Sequence, residues 1–261
     1  MKLKLVLAYD GQPYDGWQSQ AGGNAVQDHL EAAVARICGG RVAVHGSGRT
    51  DAGVHAEGQV AHFSPPETSR MQPADWQRAL NAGLPPRIRV MGCGFVPEAF
   101  HARFSALGKR YRYVICNRPV LPPAEVGRAW HLPMPLDFDR LQAAAQRCLG
   151  THDFRSFAAN RGRPEKDTVR RITLARWKAG RDLTFEVEGD GFLYKMVRLL
   201  VGASVRVAQG KAEIGWIEDL LAHPALGRNS HVAPAGGLCL VRVRYPSPAS
   251  LRPPGSRKDR E

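Results

Sequence analysis

Hydrophobic and polar residues alternate in several segments of the chain, as they do in half-buried β-strands. The first of these runs from Lys2 to Asp10, where lysines alternate with leucine and valine. Segments rich in alanine and leucine favour helix, and glycine just beyond them is typical of a helix C-terminus. For the first half the pattern predicts, in chain order, a strand at Lys2 to Asp10, a helix at Leu30 to Gly39, strands at Arg41 to His45 and Gly58 to Phe63, a helix near Ala74 to Ala82 and a strand near Ile88 to Phe95.

The second half repeats this order. It predicts a strand at Arg110 to Cys116, a helix at Leu141 to Gly150, strands at Thr168 to Trp177 and Leu183 to Glu188, helices at Phe192 to Ala208 and Glu213 to Ala222, and a strand at Leu238 to Tyr245. The helices that begin at Leu30 and Leu141 also share a leucine, two alanines, an arginine and a final glycine. Alanine-rich helices resemble one another by chance, but the matching element order is independent of those letters.

With the two consecutive helices of the second half counted as one helical segment, both halves read β-α-β-β-α-β, the ferredoxin-like order. We expect an α+β protein made of two related halves with largely antiparallel sheets and a central cleft. The predicted division is residues 1–104 for the N-terminal half and 105–245 for the C-terminal half. Residues 246–261 contain four prolines and little to bury, which predicts a disordered tail.

A glycine-rich loop, Gly46 to His55, carries the most informative chemistry. It lies between two apolar segments and holds a carboxylate, Asp51, two residues from Arg49. The same residue types form ordinary surface turns, in which Asp51 would cap a helix or close an Asx-turn. The loop is longer than a hairpin requires, however, and Arg49 would favour the ionised carboxylate. An ionised, accessible Asp51 is a candidate base or nucleophile.

Composition narrows the choice of partner. Lys and Arg total 37 against 24 Asp and Glu, giving a net charge of +13 and a pI of about 10.0. Such a charge indicates a polyanionic partner, most commonly nucleic acid. A membrane surface is the competing target, but no basic amphipathic helix, signal peptide or long apolar run stands out, so we expect a cytoplasmic protein without membrane association. The five cysteines form no CxxC pair and the histidines no metal motif, so no metal is predicted.

Three segments add basic and aromatic residues. His101 to Tyr113 mixes cations with aromatic rings, which suits phosphate binding and base stacking but also a protected edge strand. Arg155 to Arg171 reads as a basic loop, and such loops are more often simply solvated. Gly189 to Gly202 is largely apolar at helical spacing, yet it contains Arg198. An arginine in that setting requires a buried acid nearby.

Several motifs, taken in order, resemble the tRNA pseudouridine synthase A family. They are Tyr9-Asp10-Gly11 with Gly16-Trp17-Gln18, Gly48-Arg49-Thr50-Asp51-Ala52-Gly53-Val54-His55, Phe100-His101-Ala102-Arg103-Phe104 with Arg110-Tyr111-Arg112-Tyr113, Phe192-Leu193-Tyr194 with Met196-Val197-Arg198, and Gly237-Leu238. The resemblance implies an isomerase that converts uridine to pseudouridine at positions 38–40 of the tRNA anticodon stem-loop. It also implies that no cofactor takes part and that the protein is a homodimer.

The resemblance assigns roles residue by residue. Asp51 matches the catalytic carboxylate, which either adds to the sugar or base or removes a sugar proton. Tyr111 matches the tyrosine that packs against the target base, and Arg198 the arginine that pairs with the aspartate. Arg49 matches the arginine that fills the space of the flipped base, and Leu238 a residue lining the pocket. Many members have His and Asn where this chain has Lys195 and Leu199.

Two other functions fit part of the pattern. A non-catalytic RNA-binding module would explain the charge and the tyrosines, since base-stacking sheets share this element order, but not the placement of Asp51 beside Arg49. A nucleobase-acting hydrolase would use Asp51 as a base and release uracil. If the leading prediction is right, Asp51, Arg198 and Tyr111 converge in one cleft between the halves.

Overall fold

The computed structural model describes residues 1–159, 167–224, 227 and 229–246. The strands in this part of the chain are β1 (Lys2–Tyr9), β2 (His45–Gly46), β3 (His55–Phe63), β4 (Ile88–Val96), β5 (Gly108–Cys116), β6 (Trp130–His131), β7 (Gly150–Asp153), β8 (Val169–Lys178), β9 (Leu183–Gly189) and β10 (Leu238–Arg244). The α-helices are α1 (Val26–Cys38), α2 (Pro73–Gly83), α3 (Phe138–Arg147), α4 (Met196–Ala208) and α5 (Ile214–Ala222).

All ten strands belong to one sheet, in which eight follow the order β4-β1-β3-β10-β5-β9-β8-β7, while β2 pairs with β3 and β6 with β5. In the first half β4, β1, β3 and β2 are antiparallel neighbours, and in the second half β10, β5, β9 and β8 repeat that arrangement. A short parallel pairing of β10 with β3 joins the halves. The predicted α+β fold with a largely antiparallel sheet is therefore confirmed.

Strand alternation places the core on one face of the sheet. In β1 the side chains of Leu3, Leu5 and Leu7 are fully buried, whereas Lys2 and Lys4 point to the opposite face. The buried face continues without a break into the second half, because a single hydrophobic cluster includes residues of both halves. The two halves thus share one continuous sheet and one core, and the loops at their junction are anchored in both halves.

Several element boundaries differ from the sequence prediction. Helix α1 begins at Val26 rather than Leu30, β3 at His55 rather than Gly58, and α3 at Phe138 rather than Leu141.

Three further differences have local causes or lacked a sequence signal. The strand expected at residues 41–45 is reduced to His45–Gly46, since the Val44 N–H donates to the Glu31 side chain instead of a neighbouring strand. The short strands β6 and β7 had no sequence signal. The helix expected from Phe192 begins only at Met196, because Lys195 adopts a left-handed conformation with φ of 59°.

The repeat in the sequence corresponds to α1, which follows β1 directly, and α3, which is separated from β5 by the short strand β6. Gly39 ends α1 in the left-handed conformation as expected, but Gly150 lies beyond the C-terminus of α3 and begins β7. The expected division near residue 104 falls between β4 and β5. The predicted disordered tail, except for Pro246, and residues 160–166 of the basic loop lie outside the described residues. In the described part of the chain, every helix is too short or too polar to cross a membrane.

Candidate active site

A cleft of about 620 Å³ opens where the two halves meet. The glycine-rich loop contributes one side of its lining, and β5, the segment before α4 and the start of β10 contribute the other. Of the residues singled out from the sequence, the cleft is lined by Asp51, Arg49, Tyr111, Lys195 and Leu238.

Buried polar contacts fix the loop that carries Asp51. Ser47 donates from its hydroxyl to the Gln59 side chain at 2.6 Å, and the Gln59 amide donates to the Gly48 carbonyl at 3.0 Å. The hydroxyls of Thr50 and Tyr9 are hydrogen-bonded at 2.8 Å. Since buried polar groups are costly when unpaired, each of these bonds selects a single loop conformation. Asp51 is therefore presented by a rigid loop.

Gly16 allows a second segment to lie directly on this loop. The Trp17 N–H donates to the Thr50 carbonyl at 3.0 Å, and a Cβ on Gly16 would come within 2.5 Å of the same oxygen. Gly16 also has φ of +87°, which is strained for other residues. This close approach supports the backbone one residue before Asp51.

Asp51 forms an ion pair with an arginine from the other half. The Arg198 Nη1 lies 3.2 Å from Asp51 Oδ2, and the two side chains are 13% and 19% exposed. Arg198 Nε also donates to the Ala233 carbonyl at 2.7 Å, while the Ala233 N–H donates to the Arg198 carbonyl at 3.1 Å. The guanidinium is thus fixed in place, with its positive charge directly beside the carboxylate.

Arg49 does not supply that charge in this structure. Its side chain is exposed, and Nε donates to the Gln18 side chain at 3.1 Å. The sequence placed Arg49 two residues from Asp51, but the loop directs the two side chains differently. Arg198, which is 147 residues away in the chain, provides the neighbouring cation instead.

Tyr111 lies in the centre of β5, between β10 and β9, and its side chain is 8% exposed. Its ring meets the Phe192 ring edge to face, with centroids 5.2 Å apart. Burial, followed by the nearby Tyr9 and Asp51, raises the pKa of Tyr111 above its usual value. The hydroxyl therefore remains protonated at neutral pH and can donate a hydrogen bond. Leu238, opposite Tyr113 in the sheet register, adds an apolar wall.

The comparisons with known proteins agree with one another. A family model described as tRNA pseudouridine synthase matches residues 5–105 and 144–246. The chain is 46% identical to tRNA pseudouridine synthase A of Akkermansia muciniphila over 252 residues, covering 94% of this chain and 95% of the relative. Its identity to the protein of the same name from Methylacidiphilum infernorum is 42% over 244 residues, covering 93% and 95%. The chain belongs to the tRNA pseudouridine synthase family.

The family predicted from the sequence motifs is thereby confirmed. Asp51 lies in the first segment matched by the tRNA pseudouridine synthase model, Arg198 and Leu238 lie in the second, and Tyr111 lies between them. Among solved structures, a chain of a Cbf5-Nop10-Gar1 complex overlaps with a TM-score of 0.39 at 13% identity, covering 92% of this chain and 49% of that chain. This overlap is too small to support a conclusion about fold or function.

Two positions at the site have less obvious sequence signals. Lys195 starts α4 from its left-handed conformation, and its Nζ lies 5.2 Å from the centroid of the Tyr194 ring. The Ala233 backbone, which holds Arg198, acts through its carbonyl and amide groups. A backbone contact of this kind leaves no pattern in residue types, so the sequence could not have indicated it.

One group of side chains has the composition of a metal site. Ligand atoms of Cys116, Glu125 and Asp182 lie within 4.8 Å of one another. Both carboxylates already bind Arg118, with 3.1 Å between Arg118 Nε and Asp182 Oδ1. Glu125 also pairs with Arg181 at 2.7 Å. The arginines thus neutralise the charge that a metal ion would otherwise balance.

The ion pair between Asp51 and Arg198 predicts a measurable coupling. Arg198→Met should lower the free energy of unfolding by about 1–3 kcal/mol, since it leaves a half-buried carboxylate and the Ala233 carbonyl unpaired. In an Asp51→Asn background the loss should be smaller by at least about 0.5 kcal/mol, because no carboxylate charge remains to be stranded. Urea denaturation of the four proteins measures this difference. Equal losses in both backgrounds would show that the pair contributes nothing to stability.

Proposed function

We propose that this protein isomerises uridine to pseudouridine in the anticodon stem-loop of tRNA, at positions 38–40. The observation that carries the proposal is the ion-paired Asp51 in a cleft between the halves of a chain that belongs to the tRNA pseudouridine synthase family. The net charge of +13 supports a polyanionic substrate. The reaction is an isomerisation, so its atom balance needs neither an oxidant nor a second substrate.

The chemistry requires that the bond from the ribose to the uracil nitrogen breaks and that a bond to a ring carbon forms. Asp51 begins this by adding to the sugar or base or by removing a sugar proton, and each route needs an ionised carboxylate. Arg198 places a cation beside Asp51 and fixes the direction of the carboxylate. We therefore assign Asp51 the catalytic role and Arg198 the positioning of Asp51.

The detached uracil must turn within the site without escaping. The apolar wall of Leu238 and the paired rings of Tyr111 and Phe192 suit this, because they hold a flat base without fixing its orientation. The ring carbon that joins the ribose must then lose its proton, and the freed ring nitrogen must gain one, so that the product keeps the same atoms. We assign the Tyr111 hydroxyl to relay this proton, since a hydroxyl both accepts and donates hydrogen bonds. These assignments make Tyr111 and Leu238 substrate-binding residues.

A base in a stem must first leave its stack to reach Asp51. Arg49 is suited to fill the space that the base vacates, since its guanidinium is exposed at the cleft and bound only through Nε to Gln18 in the described residues. Guanidinium planes stack on neighbouring bases. We propose that Arg49 stabilises the extruded state in this way.

Asp51→Asn should lower turnover by at least about 10²-fold, because an amide cannot act as the base or nucleophile, while tRNA binding stays nearly unchanged. Pseudouridine is measured by the carbodiimide-dependent stop in reverse transcription of a tRNA with uridine at 38–40. Asp139→Asn, an exposed carboxylate on α3, is the matched control and should retain full activity. Uracil release without pseudouridine would favour a hydrolase, and absence of pseudouridine in every tRNA would refute the proposal.

Tyr111→Phe should keep the aromatic packing and remove only the hydroxyl. We expect turnover to fall at least about tenfold if the hydroxyl takes part in proton transfer, with little change in the dissociation constant. Tyr111→Ala should weaken binding as well, since it removes the ring. Single-turnover kinetics and filter binding separate the two effects. Turnover unchanged in Tyr111→Phe would confine this residue to packing.

We further propose that the protein acts in the cytoplasm as a homodimer, as the family resemblance implies. Light scattering coupled to size-exclusion chromatography should give a mass of about twice the 28.6 kDa of one chain. A mass equal to that of one chain, at the concentrations where the enzyme is active, would exclude the dimer as the active form.

A further inference from the structure

Lys109, the second residue of β5, places its ammonium group against the catalytic loop. It is half-buried, and it lines the cleft together with Asp51. A Cβ on Gly48 would lie only 2.4 Å from Lys109 Nζ. The ammonium thus occupies the space that a side chain at position 48 would need, three residues before Asp51.

Among the described residues, Lys109 has no counter-charge, unlike the two arginines that follow it on the opposite face of β5. There Arg110 binds Glu188, and Arg112 binds Glu57. Within residues 1–159, 167–224, 227 and 229–246, no carboxylate or other acceptor lies within hydrogen-bonding distance of Lys109 Nζ. A desolvated ammonium without a partner is costly.

The charged groups that act most strongly on the Lys109 ammonium are also cations. Burial lowers the pKa of Lys109 to about 8, and the charges of Arg103 and Arg170 contribute to this shift. Arg103 is exposed, whereas the Arg170 side chain is 19% exposed and has the exposed Asp167 carboxylate 3.4 Å away. Lys109, Arg103 and Arg170 all line the cleft, and the carboxylate that pairs with Arg170 is exposed to solvent. The net positive charge of these three side chains suits an anion.

The cleft also offers an aromatic surface beside these cations. Phe104 is 76% exposed, and the Arg103 guanidinium lies 5.6 Å from the centroid of its ring. An exposed ring next to a cation cluster suits a nucleotide, whose base stacks while its phosphate binds the cations. A free carboxylate ligand would make no use of the ring.

We propose that Lys109, with Arg103 and Arg170, binds a backbone phosphate of the RNA next to the nucleotide held at Asp51. This inference rests on the proposed function, because it takes RNA as the ligand. The phosphate supplies the counter-charge that Lys109 lacks. It also fixes the backbone on one side of the extruded nucleotide, where the chain must rotate to deliver the base.

The test compares Lys109→Met with Lys109→Arg and with a control, Lys178→Met. Lys178 carries the same charge but lies on β8, 48% exposed, and its partner Glu186 keeps Arg176 when Lys178 is lost. Binding to a 17-nucleotide anticodon stem-loop is measured in an Asp51→Asn background at several salt concentrations. Lys109→Met should weaken binding about tenfold. It should also reduce the magnitude of the slope of the logarithm of the association constant against the logarithm of the salt concentration by about 0.7–0.9, the value for one phosphate contact. Lys109→Arg should restore most of both, and Lys178→Met should change neither.

A second arm identifies the phosphate itself. Each phosphate flanking the target uridine is replaced in turn by an uncharged methylphosphonate. At one position the replacement should weaken binding to the unsubstituted Lys109 protein about tenfold but leave Lys109→Met unaffected, since the contact is already lost. Losses that are equal for both proteins at every position would overturn the proposal. Because this arm includes the protein with Lys109 intact, it also covers poor folding of Lys109→Met.

The outcomes separate this site from the proposed function. Pseudouridine formation by the wild-type protein without any Lys109 effect would refute the phosphate site alone. A Lys109 effect on RNA binding without pseudouridine formation would uphold the phosphate site and refute the reaction. In the active enzyme, Lys109→Met should raise KM while kcat stays within about twofold, as expected for a contact made equally before and during the reaction.

Discussion

The contact between Asp51 and Arg198 is the constraint on which the rest of the structure depends. Arg198 lies on α4, a largely buried helix where an unpaired guanidinium would be costly. Asp51 lies in the other half, on a loop that without a partner would hold a half-buried carboxylate. Each residue therefore needs the other, and the parallel pairing of β3 with β10 brings their two halves close enough to meet. The cleft lies beside this junction, between the loops of the two halves.

Rigid surroundings make this contact useful for chemistry. Tyr9 and Gln59 hydrogen-bond the loop that carries Asp51, and the Ala233 carbonyl accepts a hydrogen bond from Arg198. Asp51 is thus held in one orientation without a ligand, which under the proposed function avoids reorganisation during the reaction. Tyr111 and Leu238 face the same space from the sheet. A charged carboxylate beside apolar, flat walls is the combination that a base must meet if it is to detach, turn and rejoin.

The sequence indicated much of this arrangement, and the missing parts have physical causes. The periodicity of β1 and the alanine-rich helices gave the element order, and the apolar surroundings of Arg198 indicated that an acid must lie nearby. The start of α4 was misplaced because a lysine in a left-handed conformation interrupts an otherwise helical pattern. The residue pattern alone could not separate the roles of Arg49 and Arg198 beside the carboxylate, since side-chain direction in a loop depends on tertiary contacts. Only the family resemblance assigned the pairing to Arg198. The same holds for Lys109, whose lack of a counter-charge within the described residues can be recognised only when its neighbours are placed.

The most direct test of the central claim is a crystal structure of the Asp51→Asn protein bound to an anticodon stem-loop with uridine at position 39. The account predicts that this uridine is extruded from the stem, that its base lies against Tyr111 and Leu238, and that its ribose faces residue 51. Arg198 should remain within hydrogen-bonding distance of residue 51 in that complex. A uridine that stays stacked in the stem, or that binds away from the loop at Gly46 to His55, would contradict the account.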